Sequence, residues 1–86
     1  MTAYQIEFKQ SAKKELAQLP RSVAEKIIEC IKSLADNPRA DGCKKLRGVK
    51  HVYLIRINDY RVVYLIVDQC LIVQIIKIGH RKEIYK

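Results

Sequence analysis

The sequence predicts an α+β domain in which an N-terminal strand and a two-helix hairpin pack on an antiparallel sheet of about four strands. The first residues alternate between apolar and polar with a period of two, and two stretches with helical spacing follow. Three long runs rich in β-branched residues complete the chain. At 86 residues, 49% of them hydrophobic, the chain is predicted to form one domain, 1–86, with a core of its own.

The first two elements are a strand and a short helix. Tyr4, Ile6 and Phe8 alternate with polar residues, which predicts a strand with one buried face. Ser11 is predicted to cap the helix that follows, and Pro20 is predicted to end it.

The second helix has a start signal, an apolar stripe and a stop signal. Ser22 and Glu25 have the spacing of a capping box, and Asn37 before Pro38 marks the end because a residue that precedes proline avoids helical geometry. The stripe between them consists of Val23, Ile27, Ile31 and Leu34. These helices need an apolar partner, and the sheet is the partner that the sequence offers.

The second half of the chain predicts an antiparallel meander of three strands, at His51–Ile57, Tyr60–Val67 and Cys70–Ile78. Asn58–Asp59 and Asp68–Gln69 separate these runs and have the length of tight hairpin loops. Gly79 is expected to release the chain from the last strand.

The net charge of +8 is concentrated in the second half of the chain. Residues 1–43 carry seven Lys or Arg against six Asp or Glu, whereas residues 44–86 carry ten against three. A one-sided basic surface attracts polyanions, above all nucleic acid. The alternatives are a solvated face and a surface for an acidic protein partner.

Other features favour a cytoplasmic protein that makes no contact with a membrane. No apolar run reaches the length that spans a bilayer, and the N-terminus lacks the features of a signal peptide. The three cysteines are odd in number and widely spaced, which favours reduced thiols over disulfides or a zinc site.

Cations at alternating strand positions indicate a site on the sheet. Arg56, Arg61 and Lys77 are predicted to line the face turned away from the helices, next to the C-terminal tail. The alternative is that they are isolated charges that protect strand edges from pairing.

This constellation suits RNA cleavage without a metal or another cofactor. The glycines are too far apart for a phosphate-binding loop, and the basic half lacks the clustered carboxylates that a divalent ion needs. In RNA the 2′-hydroxyl can attack the neighbouring phosphate, provided that the charge on the phosphoryl oxygens is neutralised and the leaving oxygen is stabilised. Arg56, Arg61 and Arg81 suit phosphate, His80 suits proton exchange, and Tyr85 suits base stacking.

Several segments together resemble the RelE toxins of the RelE/ParE superfamily, namely Lys45–Gly48, Tyr53–Ile57, Asp59–Tyr64, Ile78–Arg81 and Glu83–Tyr85. The resemblance covers essentially the whole chain and implies a RelE-like fold. It also implies a toxin encoded with a RelB-like antitoxin. The RelE branch enters the A site of the 30S ribosomal subunit and cleaves mRNA there without metal.

The resemblance also implies roles for individual residues. Arg61 matches the arginine that binds the scissile phosphate, and Arg81 matches one that stabilises the transition state or leaving group. Tyr85 matches a tyrosine that stacks on the substrate base, and Arg47 matches a further phosphate-binding arginine. Further RNA contacts are predicted for Lys44, Lys45, Lys77 and Lys82.

Two positions depart from the family pattern. Arg56 and Leu54 stand where well-studied RelE proteins have lysines, so a proposed proton-transfer group is absent. His80 is the substitute that the sequence offers. Two other functions remain open: a ParE-like inhibitor of DNA gyrase, and an RNA-binding member without catalysis.

Overall fold

A computed structural model of the protein describes residues 3–80. The strands are β1 (Gln5–Phe8), β2 (Lys44–Lys45), β3 (Val52–Ile57), β4 (Tyr60–Val67) and β5 (Ile72–His80). The helices are α1 (Gln10–Ala17) and α2 (Arg21–Leu34), and a 3-10 turn covers Asp68–Cys70. The strands form one sheet in the order β1, β5, β4, β3, β2. The predicted α+β fold, with two helices on a sheet, is confirmed.

The sheet is mixed and has five strands, which corrects the prediction of an antiparallel sheet of about four. Strands β3, β4 and β5 form the predicted antiparallel meander. Strand β1 pairs with β5 in parallel, and the two-residue strand β2 adds an edge beside β3. Periodicity identifies a strand but not its neighbour, and the two lysines of β2 carry no β-propensity signal.

Both helices begin one residue earlier than their predicted caps. Helix α1 already includes Ser11 and α2 already includes Ser22, and neither helix has a side-chain cap hydrogen bond. Both serine caps are therefore wrong. Pro20 directly precedes α2 in an extended conformation, and the Arg21 Nε donates to Glu25 Oε1 at 3.2 Å. Glu25 thus bonds within its own helix rather than closing a capping box.

The ends of β5 also differ from the prediction. The chain between β4 and β5 needs four residues rather than two, and it turns at Leu71 with a φ of 56°. Gly79 does not release the chain, because it lies inside β5 and pairs with Arg61 on β4. One extra residue of β5, Ile76, interrupts the pairing between these points as a β-bulge.

The core lies between the helices and one face of the sheet. Its fully buried side chains include Ala12 of α1 and three residues of the predicted α2 stripe, Ile27, Ile31 and Leu34. The sheet contributes Ile55, Val62, Tyr64, Ile66, Val73, Ile75 and Ile78. Within residues 3–80, neither helix has the length and apolar character to cross a membrane. Since the core occupies one face, the other face is free to carry a site.

Candidate nucleic-acid interface

The sheet face turned away from the helices, which we call the open face, carries the cations of the meander. On β4 the core residues Val62 and Tyr64 alternate with Arg61 and Val63, so the latter point to the open face. Residues paired across neighbouring strands share a face. The strand register therefore assigns every nearby side chain to one face or the other.

Two adjacent rows of paired residues bring the cations together. In the first row Arg56, Arg61 and Gly79 lie side by side on β3, β4 and β5. The second row, about 7 Å along the strands, consists of Lys44, Leu54, Val63 and Lys77. We call the four cations of these rows the cationic end: Lys44, Arg56, Arg61 and Lys77. The sequence predicted Arg56, Arg61 and Lys77 on this face, and the bulge at Ile76 is what turns Lys77 away from the side of the core residues Val73 and Ile75.

Arg61 is the most unusual member of the cationic end. It is only 4% exposed, and its Nε is buried without a hydrogen-bond partner among residues 3–80. Its Nη1 donates to the Tyr60 carbonyl at 3.4 Å, and its cross-strand neighbour Arg56 has the same charge. Ion pairs among the described residues join other side chains. A buried guanidinium without an acidic partner is costly, so the arrangement favours an anion that is not part of these residues.

His80 lies on the opposite face from Arg61. It pairs with Tyr60, whose ring it contacts edge-on with the ring centroids 5.5 Å apart. Tyr60 packs against the core, so the pair faces the helix side of the sheet. The sequence grouped His80 with the arginines. In the structure His80 follows Gly79, the cross-strand partner of Arg61, but its side chain lies on the other face of the sheet.

The remaining predicted contacts divide into three groups. Lys45 is exposed and pairs with Tyr53, on the helix side, whereas its neighbour Lys44 lies on the open face. Arg47 is exposed in the loop before β3, about 13 Å along that strand from Arg56. The structure therefore does not bring Arg47 into the cationic end. The predicted residues Arg81, Lys82 and Tyr85 lie outside the described residues.

Leu54 occupies the centre of the second row. It is 3% exposed and lies between Lys44 and Val63 in the cross-strand register. A leucine side chain has no group that transfers a proton. In this structure the position contributes an apolar floor beside the cations, so the register offers no base there.

The sequence did not predict a hydrogen bond between Glu15 on α1 and the end of β5 that carries part of the site. Its Oε1 accepts a hydrogen bond of 3.0 Å from the backbone N–H of Ile78, the residue between Lys77 and Gly79. A signal was present, because Glu15 stands three residues after the buried Ala12 and so lies on the inward stripe of α1. An acid at such a position needs a partner inside the protein.

A polar cluster at the far end of the sheet also escaped prediction. Two Arg39 nitrogens donate to Asp68 at 2.8 and 3.2 Å, and the Arg39 Nε donates to the Tyr53 hydroxyl at 3.3 Å. The Tyr4 hydroxyl donates to Asp68 Oδ1 at 2.6 Å. Hydrogen bonds from Arg39 and then Tyr4 lower the pKa of Asp68 to about 2, and the bond to Asp68 raises the pKa of Tyr4. No local sequence pattern joins residues so far apart.

Metal-ligating side chains are not clustered in the part of the chain that the structure describes. Residues 3–80 contain no group of three or more His, Cys, Asp or Glu placed to hold a metal ion. In the basic half Asp68 is engaged by Arg39, and Asp59 lies in the turn between β3 and β4. The chemistry available at the cationic end is therefore that of guanidinium and ammonium groups.

Comparison with known proteins identifies the family. The family model described as the ParE toxin of the type II toxin–antitoxin system parDE matches residues 6–85. The mRNA interferase toxin RelE of Escherichia coli K12 is 32% identical over 87 residues, covering 96% of this chain and 90% of the relative.

Solved structures agree in fold. The toxin in the intact Escherichia coli RelBE toxin–antitoxin complex has a TM-score of 0.82 at 31% identity, covering 91% of this chain and 96% of that one. A chain of the RelBE2 toxin–antitoxin complex of Mycobacterium tuberculosis has a TM-score of 0.82 at 28% identity, with 94% of each chain covered. The chain therefore belongs to the RelE/ParE superfamily and is a RelE-type toxin of a type II toxin–antitoxin system.

Proposed function

We propose that this toxin is a metal-independent endoribonuclease that cleaves mRNA in the ribosomal A site and that a RelB-like antitoxin holds it inactive. Its Escherichia coli relative is named an mRNA interferase, and the similar solved structures are toxin–antitoxin complexes. Both the target and the antitoxin would meet the toxin in the cytoplasm.

The observation that carries the proposal is the state of Arg61. Among residues 3–80 the buried Arg61 Nε has no hydrogen-bond partner, and Arg56 and Lys77 lie nearby with the same charge. Burying a charged group in this way is costly unless a partner compensates it. The singly charged phosphodiesters of an RNA backbone would supply the missing acceptors, and a guanidinium fork matches phosphate oxygens bidentately. A site that serves only the fold would pair or expose this charge.

In the proposed reaction the ribose 2′-oxygen attacks the adjacent phosphorus and the bond from phosphorus to the 5′-oxygen breaks. The leaving 5′-oxygen takes a proton from solvent, so the products are a 2′,3′-cyclic phosphate and a 5′-hydroxyl. Arg61 binds the scissile phosphate, and Arg56 opposes the charge that develops on its oxygens. Lys77 and Lys44 extend the contact along the RNA backbone on the same face.

Further roles are proposed from the family pattern alone. Arg81 follows β5 directly in the chain and would stabilise the leaving 5′-oxygen, while Tyr85 would stack on the substrate base. Lys82 and Arg47 would bind flanking phosphates, with Arg47 acting from its loop.

The group that accepts the 2′-hydroxyl proton is proposed to be His80. This residue lies on the helix side of the sheet at the end of β5, and it would reach the substrate past that end of the strand. The buried Leu54 favours a second candidate function, in which the protein binds RNA on the ribosome without cleaving it. Cleavage by the wild-type protein distinguishes the two functions, because in the second case the protein binds RNA and cleaves nothing. If the wild type cleaves, His80→Gln tests the proposed base, since the cleavage rate should fall while binding remains.

A third candidate function is that of a ParE-like gyrase inhibitor, because the matching family model is described as the ParE toxin. This function predicts DNA damage signalling and inhibited supercoiling with intact mRNA. The cationic end favours RNA over this alternative, because a protein target does not need a buried arginine that has no acidic partner among residues 3–80.

The test is primer extension on mRNA bound to programmed ribosomes. Wild-type protein is expected to cut the message in the A site and leave a 2′,3′-cyclic phosphate. Arg61→Ala should lower the rate by about 10²- to 10³-fold, the size expected for one donor to a developing oxyanion. Arg39→Ala is the matched control, because this arginine lies at the far end of the sheet. Uncut messages with the wild-type protein would refute the nuclease function.

The antitoxin is tested by growth. Induction of the toxin alone should arrest growth, and co-expression of the adjacent reading frame should restore it. Persistent arrest with each neighbouring gene would contradict a RelB-like partner encoded beside the toxin.

A further inference from the structure

Strand β5 extends well beyond the strand that borders it. The parallel pairing with β1 ends where Phe8 meets Ile75, yet β5 continues to His80. Over this last stretch β4 still pairs with one side of β5, and β1 has turned away into α1. Backbone groups on the outer side of this stretch therefore need other partners.

Glu15 provides one of these partners. Its carboxylate accepts the Ile78 N–H at 3.0 Å, in a part-buried position where a neighbouring strand would otherwise place a carbonyl. Hydrogen bonds to an ionised acceptor are roughly twice as strong as neutral ones. Helix α1 packs on β5, with Ala12 fully buried, so the helix holds the carboxylate in place.

Ile78, whose N–H bonds to Glu15, lies in the part of β5 that contributes to the cationic end. The neighbours of Ile78 are Lys77 and Gly79, which belong to the cationic end and to the row of Arg61. The bulge at Ile76 interrupts the ladder just before this point. A bulged strand is less constrained by its pairing, so an added bond at Ile78 has a direct effect on where Lys77 and Gly79 lie.

We propose that Glu15 is a positioning residue of the site, which fixes the end of β5 through the Ile78 N–H and so holds Lys77 and the Gly79 backbone beside Arg61. This inference rests on the proposed nuclease function. The competing explanation is that Glu15 only stabilises the fold or blocks the strand edge from pairing with another chain. Displacement of a substrate-contacting element by about 1 Å can cost up to 10²-fold in rate.

The experiment compares Glu15→Ala and Glu15→Gln, with Glu29→Ala as a control at an exposed glutamate of α2. Glutamine keeps an acceptor oxygen of similar reach, and alanine removes it. Amide hydrogen exchange and backbone NMR shifts report the strand end, and Val62 on β4 serves as the reference for global folding. Single-turnover cleavage is measured at saturating and at half-saturating toxin concentrations on programmed ribosomes.

With Glu15→Ala we expect Ile78 exchange to accelerate about 10-fold while Val62 stays protected, as one hydrogen bond of about 1.4 kcal/mol is lost. The saturated cleavage rate should fall about 10-fold, whereas the half-saturating concentration should rise by no more than the roughly 2- to 5-fold expected for one lost phosphate contact. Glu15→Gln should retain the wild-type rate within a factor of about two to three, because it restores the acceptor. Glu29→Ala should match the wild type in every measurement.

Three outcomes would overturn the proposal. In the first, Glu15→Ala loses Ile78 protection but cleaves at the wild-type rate. In the second, Glu15→Gln is as slow as Glu15→Ala. In the third, the Gly79 and His80 amide shifts of Glu15→Ala equal those of the wild type. If the wild type itself cleaves nothing, the nuclease function fails, and the shifts still decide whether Glu15 positions the strand.

Discussion

Two arginines at opposite ends of the sheet differ in an unexpected way: the more exposed one is paired with an acid, whereas the buried one has no acidic partner among residues 3–80. The side chain of Arg39 is 44% exposed, yet it forms two hydrogen bonds to Asp68 and a third to Tyr53. Arg61 is 4% exposed, and its hydrogen bond to a described residue is one of 3.4 Å to the Tyr60 carbonyl. Water solvates the exposed Arg39 far better than the buried Arg61, so stability alone would place the acid beside Arg61.

The difference separates a structural end of the sheet from a functional one. At the structural end Arg39 joins the loop after α2 to β3 and to the turn after β4. Tyr64 adds a bond from its buried hydroxyl to the Pro38 carbonyl at 2.7 Å. At the cationic end no side chain of residues 3–80 compensates the buried charge of Arg61, which is expected where a ligand supplies the counter-charge.

The same substitution in both arginines tests most directly whether one end of the sheet is functional and the other structural. Arg61→Leu should lower the cleavage rate by about 10²- to 10³-fold relative to the wild type. It should also leave the free energy of unfolding unchanged or raise it by about 1 kcal/mol, because it removes a buried charge that no acid of residues 3–80 pairs with. Arg39→Leu should lower the stability and leave cleavage intact. Urea unfolding and primer extension measure both quantities, and a large stability loss in Arg61→Leu would contradict the functional assignment.

Tyr64→Phe tests the structural end from inside the core. The change keeps the ring, which stacks on Tyr53 with the centroids 6.0 Å apart, and removes the donor to the buried Pro38 carbonyl. The free energy of unfolding should fall by about 1–2 kcal/mol, with cleavage altered by less than about twofold. Thermal or urea unfolding is the measurement. A selective loss of cleavage in a fully stable variant would mean that the two ends are not separate.

Adjacent lysines of β2 sharpen the boundary of the cationic end. Lys44 lies on the open face and Lys45 on the helix side, and both are exposed. Lys44→Gln should weaken binding of single-stranded RNA about 2- to 5-fold and reduce its salt slope by about 0.7, the value for one lost phosphate contact. Lys45→Gln is the matched control and should have a smaller effect on both. Equal effects would show that RNA does not distinguish the two faces.

The smallest expected effect is the pH dependence of the structural end. The bonds from Arg39 and Tyr4 hold the pKa of Asp68 at about 2, below the ordinary value of 3.8. A depressed carboxyl pKa contributes stability that is fully present above about pH 4 and is lost as the pH falls towards 2. Asp68→Asn should flatten this part of the stability profile, measured by unfolding between pH 5 and pH 2 at about one-unit steps. An unchanged slope would show that Asp68 is not coupled to folding.

Much of the site followed from local pattern. The two-residue turn at Asn58–Asp59 was predicted, and it leads directly to the pairing of Arg56 with Arg61. Alternation then predicted that Arg56 and Arg61 share the open face, which the register confirms. Lys77 also lies on that face, but only because the bulge at Ile76 turns it away from the side of Val73 and Ile75. The face of His80 was not anticipated, because the bulge and the strand position of Gly79 change the parity of β5 after Ile75.

The sequence by itself determined the order of the elements, the inward stripe of α2, and the concentration of positive charge in the second half of the chain. These are properties of neighbours in the chain, and periodicity records them. Only the tertiary structure decided that Arg61 is buried without an acidic partner from residues 3–80, that Arg39 meets Asp68, and that Glu15 accepts a hydrogen bond from Ile78. Such contacts join residues tens of positions apart, and their geometry depends on sheet register and helix packing that no local pattern encodes.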